Sequence, residues 1–134
     1  MATRKTSKKI VKLARKPGAG SKWLRPSKRI AIYTRDGFCC LYCGDTVEKG
    51  ARLTVDHIVP SVDGGTNAAD NLITCCLSCN SAKQDLSARE WRTYAAKKSI
   101  AFSWDAIRRQ ARKPLDRAAA LKILAERQAG KRAA

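Results

Sequence analysis

Cys40-Leu41-Tyr42-Cys43, Leu53-Thr54-Val55-Asp56-His57-Ile58-Val59-Pro60 and Cys76-Leu77-Ser78-Cys79-Asn80 follow one another inside the stretch Phe38 to Asp85, with Lys83 one helical turn beyond the last. A core this small often needs a cross-link, and four thiols in two Cys-x-x-Cys pairs can supply one through a tetrahedral metal. Cys40, Cys43, Cys76 and Cys79 are therefore read as ligands of a structural Zn²⁺. Cys39 and Cys75 directly precede each pair and would leave a less usual three-residue gap, so both are assigned to packing.

Working outward, Ser27 is read as the N-cap of a helix through Ile30, Ile32 and Tyr33 to about Arg35, ended by Asp36-Gly37 and packed on the zinc unit. Gly44 allows the tight turn of the first knuckle. Arg52 to Val59 reads as a strand, stopped by Pro60. A loop with Asp63-Gly64-Gly65 follows, and Asn71-Leu72-Ile73-Thr74 leads back to the second cysteine pair. A short helix is expected from Leu77 to about Gln84. Ser87 and Glu90 form a capping box flanked by Leu86 and Trp91, and Ser103 repeats the cap with Phe102 facing Ile107. The last helix is expected to start at Pro114 and to end before Gly130, with Leu115, Ala119, Leu121, Ile123 and Leu124 as its apolar face. Trp23, Trp91 and Trp104 are read as core aromatics.

The 134 residues carry a formal charge of +17 and a pI near 10.2, which points to a polyanionic partner. The charge is unevenly placed: residues 1–35 hold 12 Lys and Arg and no acid, 36–88 hold 3 against 7 acids, and 89–134 hold 13 against 4. A mildly acidic centre between basic segments suits a divalent-metal site carried by phosphate-gripping arms. No stretch approaches a membrane span and no signal-peptide pattern opens the chain, so an intracellular, reducing setting is expected, where paired Cys-x-x-Cys reads as metal rather than disulfide. The organisation expected is a basic flexible arm over 1–26, a zinc-knuckle core over 27–86 and a basic helical extension over 87–134.

His57 is the only histidine. A lone strand histidine is commonly structural, but this one follows Asp56 and is brought near Asn80 by the zinc-tethered helix. Hard oxygen donors of that kind suit Mg²⁺ or Mn²⁺. From Ser27 to Asp85 these residues resemble the HNH endonucleases: Arg35-Asp36-Gly37 before the first knuckle, Asp56-His57 at a strand end, Gly64-Gly65, Asn71-Leu72, then Cys76-x-x-Cys79-Asn80 and Lys83. The resemblance implies a small α+β domain of the ββα-metal, His-Me finger and treble-clef-like kind, with structural zinc and flanking helices. It implies His57 as the general base that activates water, Asn71 as the residue that fixes the loop and helps orient the imidazole, and Asp56 and Asn80 as ligands of a catalytic Mg²⁺ or Mn²⁺. Asn80 makes the pattern His-Asn-Asn rather than His-Asn-His. Single-metal hydrolysis of DNA would leave 5′-phosphate and 3′-hydroxyl ends.

Lys83 is the one basic residue between Arg52 and Arg89, read either as a possible contact to the scissile or an adjacent phosphate or as a solvated helix lysine. DNA is the expected partner, held mostly through phosphates, with sequence preference weak unless a protein partner supplies it. A cytoplasmic protein encoded by a bacterium or phage is expected. A non-catalytic zinc-knuckle nucleic-acid-binding protein, or a structural component of a nucleoprotein machine, shares the charge and the cysteines. Neither oligomeric state nor nicking against double-strand cutting is legible.

Overall fold

The computed structural model describes residues 23–84 and 86–133. The basic arm is expected mainly over residues that lie outside these, as does Asp85. Helix α1 (Pro26–Arg35) opens the described chain with Pro26 in its first turn. Its N-cap is Arg25, extended at φ −63° and ψ 145° and without a side-chain cap bond, where Ser27 was expected. Proline explains the shift: it needs no N–H in the first turn, and it drives the residue before it into an extended conformation.

After α1 the chain turns back through Asp36 and Gly37 (φ 75°) to the first cysteine knuckle. Strands β1 (Leu53–His57) and β2 (Leu72–Cys76) pair antiparallel, with Leu53 opposite Cys76, Val55 opposite Thr74 and His57 opposite Leu72. Opposed residues share a face and successive ones alternate. Helix α2 (Leu77–Lys83) follows β2 without a loop, its N-cap being Cys76, whose sulfur accepts from the Cys79 amide. The result is a mixed α+β unit with a two-stranded sheet and helices, the architecture expected.

Two apolar cores lie on the two faces of this hairpin. Ile73 and Cys75 join Cys40, Tyr42, Cys79 and Trp91 on the zinc-knuckle side. Helix α3 (Ala88–Lys97) closes this side behind the Ser87–Glu90 capping box, and α4 (Trp104–Ala111) adds Trp104 and Ile107 behind the Ser103 cap. On the opposite face Val55 and Leu72 pack with Ile30, Ala31, Ile32 and Tyr33. The apolar side of α1 therefore covers the back of the sheet, not the zinc unit as expected. Its other neighbour is the last helix, α5 (Arg117–Ala133).

Helix α5 begins after Asp116, whose carboxylate accepts from the Ala119 amide at 2.9 Å, and it runs through Gly130. Both ends correct the sequence reading. Asp116 offers a side-chain acceptor that Pro114 lacks, and a single glycine costs an otherwise continuous helix only about 1 kcal/mol. Ala120 of this helix is fully buried, whereas Leu121 is largely exposed.

One polar knot ties α1, β2 and α4 together. Arg35 pairs with Asp36 at 2.8 Å, both side chains nearly fully buried, and donates to the carbonyls of Ala69, Leu72 and Ala111. Asp36 in turn accepts from the Thr74 amide and from Gln110 Nε2. Removing one partner of a buried pair strands the other charge, which costs about 3–5 kcal/mol. Arg35→Ala is expected to lose stability on that scale in denaturant unfolding, whereas Arg29→Ala, on the same helix with a part-exposed side chain, should change it by less than about 1 kcal/mol.

Candidate metal centres and active site

The four paired cysteines converge. The sulfurs of Cys40, Cys43, Cys76 and Cys79 all lie within 4.8 Å of one another, and Cys43 and Cys76 are 3.7 Å apart. Tetrahedral Zn–S bonds near 2.3 Å put sulfurs about 3.8 Å apart, so the donor set fits that ion. In each knuckle the fourth residue turns its backbone N–H onto the first sulfur, Cys43 to Cys40 and Cys79 to Cys76, both at 3.4 Å. A hydrogen bond from Cys79 pulls the Cys40 thiol down to about 5 and holds Cys79 above its ordinary range. Cys39 and Cys75 stay out of the cluster: Cys39 donates to the Asp36 carbonyl and Cys75 is fully buried.

The turn after β1 is held by Asn71. Its Oδ1 accepts from the Val59 amide at 2.9 Å, and its Nδ2 donates to the carbonyls of Val59 and Thr66. Only glycine fits at position 65, because a Cβ there would collide with the Val59 carbonyl. The loop-fixing role expected of Asn71 matches this placement, but the imidazole is met by a different residue.

His57 Nε2 lies 2.8 Å from Asn67 Oδ1. The other end of that amide, Nδ2, faces the Trp23 carbonyl at 3.4 Å, which turns Oδ1 toward the histidine. An amide oxygen only accepts, so Nε2 carries the proton and Nδ1 is left as the basic nitrogen of the neutral ring. Trp23 stacks on the imidazole with centroids 5.1 Å apart, and Lys28 Nζ donates to the Asn67 carbonyl. The segment entering α1 and the loop thus hold the ring from two sides. Neither residue stood out in sequence: Asn67 sat in a run of turn residues, and Trp23 read as core.

Asp56 faces the other way, since consecutive strand residues point to opposite sides of the sheet. Its side chain is buried beneath α2, where Oδ2 accepts from the Tyr42 hydroxyl at 2.9 Å and lies 3.0 Å from Lys83 Nζ. Burial, and then the neighbouring Asp56, raise the Tyr42 hydroxyl well above its ordinary range, so it remains a donor. Lys83 is 2 % exposed and also donates to the His57 carbonyl, so it is neither a solvated helix lysine nor open to a phosphate in this arrangement. Asn80 shares its helix and is 5 % exposed, and its side-chain amide makes no hydrogen bond among the described residues. Oδ1 of Asp56 likewise accepts none among the described residues. The β1 end therefore carries an imidazole on one face and the under-used Oδ1 of Asp56 on the other, with Asn80 on the helix that packs against that strand.

Residues 40–86 match the HNH endonuclease family model. Over that stretch the chain is similar to HNH endonuclease domains. The chain is 34% identical over 64 residues to the CRISPR-associated endonuclease Cas9 of Actinomyces naeslundii, an alignment covering 47% of this chain and 6% of that one. Over 59 residues it is 39% identical to YoqL of Bacillus subtilis strain 168, which is SPbeta prophage-derived and bears the name of an HNH endonuclease; 39% of this chain and 26% of that one are covered. The chain thus spans a minor part of either relative's length. Trp23 and the Arg35–Asp36 knot lie before the matched HNH residues and α4 lies after them. Among the described residues no helix is long and apolar enough to cross a membrane.

Two outcomes follow for the HNH domain. Asn71→Ala removes three hydrogen bonds, each worth about 1 kcal/mol, so amide exchange at Val59 should quicken by about ten-fold or more while the four-cysteine cluster keeps its metal. Metal binding to four thiols releases their protons, so retention should fail as pH drops, and chelation at neutral pH should cost most of the cooperative thermal transition.

Proposed function

We propose that the chain is a metal-dependent endonuclease that hydrolyses DNA phosphodiester bonds, with His57 as general base and the four-cysteine cluster holding a structural Zn²⁺. The observation that carries the reading is the imbalance of hydrogen bonding at the end of β1. His57 is held through Nε2 alone, and Asp56 Oδ1 and the Asn80 amide are left without partners among the described residues. Among the described residues the one sealed, unpaired side-chain atom is Trp91 Nε1, so these two oxygens, on residues 4 % and 5 % exposed, keep an opening through which a cation can reach them.

Both are hard donors that suit Mg²⁺ or Mn²⁺. A divalent ion held there by Asp56 and Asn80 would neutralise charge on the scissile phosphate and on the departing 3′ oxygen. The chain's own part is proton transfer and positioning. His57 Nδ1 takes a proton from water as the water oxygen bonds to phosphorus and the P–O3′ bond breaks, and the departing 3′ oxygen is protonated by solvent water, giving 5′-phosphate and 3′-hydroxyl ends. Because the ladder stops at His57, its ring stands at the rim of the sheet, where a phosphate can be approached from both faces.

DNA as substrate is supported by where the cations lie. Arg89, Arg92, Lys97, Lys98, Arg109 and Lys113 are exposed on or beside α3 and α4. Arg108 and Arg112 line a cleft of about 370 Å³ with Gly64, Gly65 and Thr66 of the loop that follows His57. Contacts of this kind are to phosphates, so binding should fall steeply with salt and show little base preference.

Cleavage of supercoiled plasmid in low salt, with chelator, Mg²⁺ or Mn²⁺, tests the proposal. The zinc-loaded protein should cut with either ion and not with chelator. His57→Ala should lose about 10²–10⁴-fold in rate, the usual contribution of a general base. Asn67→Ala, which frees the ring without removing it, should lose about ten-fold. A folded, zinc-loaded protein that binds plasmid but cuts with no ion would instead be a zinc-knuckle binding module, with Asp56 and His57 structural.

A further inference from the structure

One buried cation, Lys83 at 2 % exposed, is not used by the proposed chemistry. Lys83 is the last residue of α2, and its ammonium reaches Asp56 Oδ2, the oxygen that also takes the Tyr42 hydroxyl. Both partners have chosen one oxygen. The other, Oδ1, is left free of hydrogen bonds among the described residues, on the strand against which the helix bearing Asn80 packs.

We propose that Tyr42 and Lys83 are positioning residues that clamp Asp56 through Oδ2, so that Oδ1 alone is presented to the divalent ion. The proposal rests on the reading of Asp56 and Asn80 as the ligands of that ion. A carboxylate that turns freely can offer either oxygen or both; one fixed by two donors on the same oxygen is a preorganised single-oxygen ligand. The donors are of two kinds. Tyr42 is neutral and wedged among Trp91, Phe102 and Trp104, with ring centroids 4.9–5.9 Å away. Lys83 adds a charge that also neutralises the buried carboxylate before the ion arrives.

Placement in the chain gives the clamp its second property. Tyr42 sits inside the first Cys-x-x-Cys knuckle, between Leu41 and Cys43, and Lys83 ends the helix that the second pair begins. Each jaw is carried by one half of the four-cysteine cluster. The structural site thereby sets the orientation of a ligand at the catalytic site through two side chains.

The test is Mn²⁺ affinity of the zinc-loaded protein, read from the electron paramagnetic resonance signal of free Mn²⁺, with zinc content and melting temperature measured for every variant. Tyr42→Phe keeps every ring contact and removes one donor; it should weaken Mn²⁺ binding by about ten-fold or more. Lys83→Met should weaken it as well, although it deletes a positive charge near the ion, and Lys83→Arg should restore part of the loss. Asp56→Asn and Asn80→Ala report on the ligand reading itself and should abolish binding. If Asp56→Asn binds Mn²⁺ as tightly as the unaltered protein, the ligand reading falls and the clamp with it. If Asp56→Asn loses the ion but Tyr42→Phe stays within two-fold of the unaltered affinity, the ligands stand and the clamp is wrong. Tighter binding by Lys83→Met would make Lys83 a competitor of the ion, which also overturns the proposal. Should Lys83→Met fail to fold, Tyr42→Phe decides alone.

Discussion

Four cysteine sulfurs drawn within 4.8 Å of one another are the constraint on which the site depends. Cys40 and Cys43 belong to a knuckle with little regular structure, while Cys76 and Cys79 bracket the point where β2 becomes α2. Joining the two fixes that junction, and with it the helix lying across the hairpin. The hairpin has only two strands, too few to be stable alone, so it is supported by the four-cysteine cluster and its core on one face and by α1 and α5 on the other.

Around this constraint the two faces divide the chemistry. Asp56 points into the knuckle side, where Tyr42 and Lys83 hold its carboxylate; His57 points to the α1 side, where Trp23 and Asn67 hold its ring. The match to the HNH family covers residues 40–86, yet Trp23 and the Arg35–Asp36 knot stand before it. Those earlier residues are not ornament to the domain. Arg35 ties the end of α1 to Leu72 and Ala69, the stretch that carries Asn71, so the loop beside His57 is anchored from outside the matched region.

Much of this was legible without coordinates because the signals are local. Cys-x-x-Cys spacing, the Ser87–Glu90 box, the Ser103 cap and the β-branched run over β1 each depend on residues a few positions apart, and each stands where it was read. The misreadings were also local competitions. Ser27 lost the cap to Arg25 because Pro26 follows it, and Pro114 lost the start of α5 to Asp116, which has an acceptor to offer.

The sequence by itself determined the class of the domain and its chemically able residues, because ligand spacing and strand patterning are short-range properties. What only the tertiary structure decided is which of those residues meet. Lys83 is a basic residue at the end of a short helix, and nothing in its neighbours says that its ammonium is buried 3.0 Å from Asp56, 27 residues earlier. Asn67, rather than Asn71, touches His57, and Trp23 reaches that ring from 34 residues away. Such pairings arise from how helices close over a sheet, and burial then makes them obligatory, since a charge or amide removed from water must find whatever partner the packing brings.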